Sequence, residues 1–135
     1  MTEKIIATKD APSAIGPYSQ AVCVSPFIFT SGQIPIDPET GRIVKGDITV
    51  QTRRVLENLK AVLAAADLSF ADVVKTTLFI KDMRQFSSIN QVYGEYFPND
   101  PPARSTIEVN QLPMDVAIEI EMVAYASGKE KPEEG

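Results

Sequence analysis

The alternation of residues 116–125 constrains this chain more than any other feature. Val116, Ile118, Ile120, Met122 and Ala124 share one side of an extended strand, and Ala117, Glu119, Glu121, Val123 and Tyr125 share the other. A wholly apolar side behind a side with two carboxylates needs a covering layer on the first and not on the second. Two amphipathic stretches supply that layer. Over about 47–66, Val55, Leu59, Val62, Leu63 and Ala66 recur at helical spacing, with Arg53, Arg54, Glu57 and Lys60 on the wet side. Over about 83–97, Phe86, Ile89, Tyr93 and Phe97 form the apolar stripe and Pro98 ends it. Asp82 and Gln85 resemble a capping box at its start.

Strand signals fill the rest. They lie over 5–7, 20–25, 27–30, 72–80, 103–109 and 116–125. Ser25-Pro26 predicts a turn that makes the second and third a hairpin, and Leu112-Pro113-Met114-Asp115 predicts another between the last two. The order β-β-β-α-β-α-β-β predicts an α+β domain, a single mixed β-sheet with two helices packed on one face. A length of 135 residues is one domain, assigned to 1–126, and the polar stretch 127–135 reads as a loose tail.

Sorting the other strands by face predicts an uncovered surface. In 103–109, Ser105, Ile107 and Val109 alternate with Arg104, Thr106 and Glu108. Placing the more apolar set under the helices puts Arg104 beside Glu121 on the helix-free face. In 72–80 both sets carry apolar residues, so Val73, Phe79 and Val123 are expected on that open face. Such a face invites a second copy, which predicts a homo-oligomer with charged residues lining a crevice between subunits.

Composition narrows the chemistry. There is no His, which removes Ser-His-Asp and Cys-His triads and His metal ligands. One Cys, Cys23, permits neither an internal disulfide nor a Cys-based zinc site. The seven Gly residues form no nucleotide-binding loop. The net charge of −5 disfavours nucleic acid. No apolar run approaches the ~20 residues of a membrane helix. The N-terminal stretch has no apolar signal core, so a cytoplasmic protein is expected.

Arg, Glu, Tyr, Lys and the backbone remain to do chemistry. Arg104 follows Asp100-Pro101-Pro102-Ala103, a stiff approach that suits bidentate capture of a carboxylate, or else an inter-strand ion pair. Glu121 is a tunable acid or base, and Glu119 shares its face, so alternation does not choose between them. Tyr18 is aimed by Gly16-Pro17. Gly32, after Ser31, permits close backbone approach, so its N–H is a candidate carboxylate donor. Lys75 is an ion-pair partner or, if desolvated, a Schiff-base former.

Several blocks together resemble the Rid (YjgF) family, most closely its RidA-type imine deaminases. They are Ala14-Ile-Gly-Pro-Tyr-Ser-Gln20, Thr30-Ser-Gly-Gln-Ile-Pro35, Asp72-Val-Val-Lys-Thr-Thr-Leu-Phe79, Pro102-Ala-Arg-Ser-Thr-Ile-Glu-Val109 and Ile118-Glu-Ile-Glu121. The resemblance spans Ile5 to Tyr125 and implies a chorismate-mutase-like fold and a homotrimer with sites between subunits. It implies hydrolysis of 2-aminoacrylate/2-iminopropanoate and 2-aminocrotonate/2-iminobutanoate to 2-keto acids and ammonia. Those intermediates link the chain to pyridoxal-phosphate-dependent dehydratases. The reaction needs no metal and no cofactor. By the resemblance Arg104 binds the substrate carboxylate, Glu121 positions or activates water, and Tyr18 is the site tyrosine. Ser31 and Gly32 form the ligand-contacting loop, Thr106 contributes its backbone, and Asn90 and Lys75 lie nearby. Thr106 stands where many members carry Cys, and Asn110 where a small or basic residue is usual. The rival readings are a non-catalytic module binding a keto acid or amino acid, an endoribonuclease or translation inhibitor, and a Schiff-base lyase using Lys75.

Overall fold

The computed structural model describes residues 4–126. The expected tail, 127–135, lies outside the described residues. Six strands and two helices follow the expected order: β1 (Lys4–Ile6), β2 (Ala21–Val24), β3 (Phe27–Thr30), α1 (Ile48–Ala65), β4 (Val73–Ile80), α2 (Phe86–Tyr96), β5 (Ala103–Glu108) and β6 (Ile118–Tyr125). They form one mixed sheet in the order β1-β2-β3-β6-β4-β5.

The helices start and bury as their sequences dictate. Asp47 caps α1, its carboxylate accepting from the Thr49 and Val50 N–H groups at 3.1 Å each. Val55, Leu56, Leu59, Val62 and Leu63 of α1 are wholly buried. Each stabilises the fold by roughly 1.5–3 kcal/mol. The start of α2 differs from the expected capping box. Residues Met83–Gln85 form a 3₁₀ turn, Asp82 accepts from Arg84 N–H, and the Gln85 side chain makes no capping bond.

The last strand is the axis of the sheet. Ile118, Ile120, Met122 and Ala124 are buried beneath the helices, as their alternation requires. β6 is antiparallel to β3 on one side and to β4 on the other. β5 does not pair with β6, so the second expected hairpin is absent. It runs parallel to β4 at the sheet edge instead. The cause is α2: a helix between two neighbouring strands is a crossover, and crossovers join parallel strands.

Two face assignments also change. A bulge between Val73 and Lys75 inserts one residue, so Val73 pairs with Ala124 and is buried, while Lys75 pairs with Val123. Only Phe79 and Val123 of the three expected residues lie on the helix-free face. Arg104 pairs with Thr76, which is fully buried, so Arg104 lies on the helix side and Glu121, paired with Thr77, on the other. The two residues expected to share a face are on opposite faces.

The open face is more apolar than expected. Val24, Phe27, Phe29 and Tyr125 are each 39–47% exposed. Phe27 stacks on Phe29 and Tyr125, with ring centroids 6.3 and 5.3 Å apart. No helix among the described residues is long and apolar enough to cross a membrane.

Candidate functional site

A cleft of about 640 Å³ opens beside β6, lined by Tyr18, Ser31, Gly32, Glu119 and Glu121 among others. Two buried amides set its walls. Gln20 Nε2 donates to the Pro12 carbonyl at 2.7 Å and reaches those of Thr8 and Ala11, while Gln20 Oε1 accepts from Thr8 N–H at 2.7 Å. That clamp fixes the segment leading to Pro12, Ser13 and Ile15, the first wall. Asn58, wholly buried on α1, donates to the carbonyls of Ile34 at 3.3 Å and Ile36 at 3.0 Å, fixing the second. Arg54 Nε donates in turn to Asn58 Oδ1 at 3.1 Å. Pairing every polar atom of a buried amide makes such a clamp stable rather than costly.

Tyr18 is placed by the turn before it. Gly16 has φ +117°, a conformation open to glycine, and its carbonyl accepts from Tyr18 N–H at 2.9 Å. The Tyr18 hydroxyl accepts from Ile15 N–H at 3.3 Å and stays at the rim, with the residue 52% exposed. Ser31 is committed to the scaffold. Its N–H and Oγ donate to the carbonyls of Gln20 and Ser19 at 2.9 and 2.6 Å. Gln33 exchanges two backbone bonds with Ile120, at 2.9 and 3.1 Å, so Gly32 is stretched directly over β6. A Cβ on Gly32 would overlap the Glu119 carboxylate. Among the described residues, no bond to the Gly32 N–H is made.

Glu119 is the residue that alternation left undecided. It is half-buried in the cleft, and Glu121 is exposed beside it. Burial, and secondarily the like charge of Glu121, pushes the Glu119 carboxyl above its ordinary range. The signal was the shared parity of positions 119 and 121; sequence alone holds nothing that says which is deeper.

Arg104 belongs to a different group. Its guanidinium lies 4.8 Å from the Tyr93 ring centroid and 5.3 Å from that of Phe86, and Nη1 donates to Asn90 Oδ1 at 2.8 Å. Residues 86, 90 and 93 share one face of α2, so the helix offers ring, amide and ring to one side chain. The Tyr93 hydroxyl and Thr76 Oγ1, buried and 2.7 Å apart, fix the ring in turn. Thr106 is half-buried two residues along the same face of β5. Lys75 lies on the helix-free face with Nζ donating to Ser105 Oγ at 3.2 Å, and does not line the cleft. A single chain thus unites Tyr18, Ser31, Gly32 and Glu121, and gathers Arg104 and Asn90 elsewhere.

Comparison with known proteins gives one consistent picture. The family model described as endoribonuclease L-PSP matches residues 8–126. A RutC family protein of Pyrococcus abyssi is 57% identical over 125 residues, covering 93% of this chain and 98% of that one. The 2-iminobutanoate/2-iminopropanoate deaminase of Salmonella typhimurium is 49% identical over 124 residues, covering 90% and 96%. Among solved structures, TdcF of E. coli with bound serine matches with TM-score 0.87 and 48% identity over 90% of this chain and 98% of that one. Yeast Mmf1 matches with TM-score 0.89 and 38% identity over 92% and 98%.

Proposed function

Given that this chain belongs to the endoribonuclease L-PSP family, the Rid (YjgF) proteins, we propose that it hydrolyses small 2-imino acids and their enamine tautomers to 2-keto acids and ammonia. The substrates are 2-aminoacrylate/2-iminopropanoate and 2-aminocrotonate/2-iminobutanoate. The observation that carries this reading is the cleft itself, which brings Glu119 and Glu121 together with Tyr18, Ser31 and Gly32. A relative 49% identical bears the name of that deaminase, and a relative structure holds serine, a molecule of similar size with a carboxylate and an amine.

The chemistry asks little. The carbon of a protonated imine is already electrophilic, so the protein supplies position and proton transfer. The Gly32 N–H and the Thr106 backbone hold one end of the substrate. Arg104 takes its carboxylate, Glu121 holds the attacking water, and Tyr18 closes the rim. Arg104 and Glu121 lie on opposite faces of one chain, so the complete site requires a second copy. We assign a homotrimer in which helix-free faces pack together and the β5 edge of one subunit reaches the cleft of the next. The exposed aromatic patch of Phe27, Phe29 and Tyr125 supports burial of that face. An endoribonuclease reading finds less support: the cleft presents two carboxylates where a phosphate backbone needs cations.

The test couples purified protein to a pyridoxal-phosphate-dependent threonine dehydratase. The imine's absorbance and 2-ketobutyrate release are followed beside an Arg104→Ala control. Accelerated imine loss that disappears in the variant is expected. A folded, oligomeric protein that leaves the buffer rate unchanged overturns the reading.

A further inference from the structure

We infer that Tyr93 is a positioning residue for Arg104, and that the Thr76 hydroxyl sets the ring which in turn sets the plane of the guanidinium. The inference rests on the imine-hydrolase reading, in which Arg104 takes the substrate carboxylate, and it names what aims that Arg. Its basis is the meeting of three elements. Thr76 on β4 and Arg104 on β5 are paired across neighbouring parallel strands, on the helix side of the sheet. Tyr93 descends on both from α2. Its hydroxyl lies 2.7 Å from Thr76 Oγ1, and its ring centroid lies 4.8 Å from the Arg104 guanidinium carbon. One ring thus touches the sheet with its tip and the cation with its face.

Stability alone does not call for the two hydroxyls. Thr76 is wholly buried and Tyr93 is 6% exposed. A Val and a Phe at these positions keep the same shape without any polar atom, and such a paired replacement is close to neutral. What the pair adds is direction. The Tyr93 ring also packs on Phe97, with centroids 4.7 Å apart. Ring packing tolerates sliding, whereas a hydrogen bond fixes a distance and an angle. Two further contacts of Arg104 come from the same helix. The Phe86 ring centroid is at 5.3 Å, and Asn90 Oδ1 accepts from Nη1 at 2.8 Å. Asn90 holds one end of the guanidinium and the rings hold its plane. Tying Tyr93 to β4 therefore ties this α2 frame to the strand beside Arg104. The phenol and the guanidinium also feel each other. Burial raises the Tyr93 hydroxyl above its ordinary value, while the Thr76 bond and the Arg104 charge oppose that rise.

The effect belongs to binding. A carboxylate takes two parallel N–H donors from a guanidinium, so a tilted plane loses one of the two bonds. The carboxylate is held alike before and during attack on the imine carbon. A loss there raises KM and leaves kcat nearly unchanged.

The test compares wild type with Thr76→Val, Tyr93→Phe and the double variant, each as the intact oligomer. The readouts are melting temperature, kcat and KM for imine hydrolysis, calorimetric affinity for 2-ketobutyrate, and ¹⁵N relaxation of the Arg104 Nε–H. Each single variant leaves a buried hydroxyl unpaired and should melt lower. The double variant removes both hydroxyls and should regain most of that loss. KM and the 2-ketobutyrate Kd should not follow stability. In the double variant they should stay raised about three- to tenfold, with kcat within about twofold of wild type. Its Arg104 Nε–H should be more mobile than in wild type. A double variant whose KM returns, along with its melting temperature, to within about twofold of wild type makes the pair a packing feature only and overturns the inference. An Arg104 Nε–H as ordered in the double variant as in wild type does the same, and that readout needs no substrate. A wild type that leaves imines at the buffer rate sinks the hydrolase reading, and the relaxation measurement still decides whether the pair aims Arg104.

Discussion

Arg104 is held so that its charge is offered rather than spent. Two ring faces of α2 sandwich the guanidinium, and Asn90 engages one end through Nη1. A planar cation fixed by stacking loses little freedom on meeting a carboxylate, and it presents two parallel N–H donors. Lys keeps the charge but has neither the fork nor the stack. Arg104→Lys should therefore cost about 1.5–3 kcal/mol of transition-state binding, roughly ten- to 150-fold in kcat/KM for imine hydrolysis. Circular dichroism should stay unchanged. A variant within twofold of wild type would remove Arg104 from the site. The stack also explains why the face of Arg104 was misread. Apolar content is a fair guide to the covered side of a strand, but a half-buried Arg can take such a position when its stem packs and its guanidinium lies over aromatic rings. On β5 the covered position went to Arg104, and Ile107 is left 43% exposed. Nothing in residues 103–109 alone shows that partner, because Phe86 and Tyr93 come from another element.

Among the elements, α1 was the most legible, since its apolar stripe is local; its Asp47 cap is a finding of the structure. Asp47 accepts three bonds, from the Thr49 hydroxyl and from the Thr49 and Val50 N–H groups. The Thr49 hydroxyl, then the Val50 N–H, holds its carboxyl below the ordinary value. A carboxyl lowered in the folded state contributes stability above its unfolded pKa, and that contribution fades as pH falls through the folded value. Asp47→Ala should accordingly lower the melting temperature by a few degrees at pH 7. The deficit should shrink below about pH 4, where wild type also loses the ionised cap. Equal deficits at pH 7 and pH 3 would mean that the lost charge is not what matters. The pairing of β5 was less legible for a reason of topology. Its neighbour is chosen by the α2 crossover, and β6 is drawn into the middle by its two-sided pairing with β3 and β4. The bulge at Val73/Lys75 is equally silent in sequence, and one inserted residue reverses the parity of everything before it.

At the scale of the whole molecule, the fold divides the proposed machinery between two faces. Among the described residues, the cleft beside β6 is lined by Glu119, Glu121, Gly32 and the Tyr18 phenol, whereas Arg104 stands on the β5 edge against α2. In the proposed trimer the two parts form one site, so this reading makes assembly a condition of activity rather than only of stability. In a symmetric trimer with three shared sites, an Arg104→Ala subunit still brings an intact Glu121, and a Glu121→Gln subunit still brings an intact Arg104. Each variant alone should be inactive. Co-expressed in equal amounts, random mixing gives each mixed trimer one site with both wild-type residues, about a quarter of wild-type activity averaged over all trimers. The mixture is purified as one species by size exclusion and assayed for imine hydrolysis. If Arg104 and Glu121 instead served one subunit's site, no mixture of the two would recover any activity. A purified mixed trimer as inactive as its parents would therefore refute a site shared between copies.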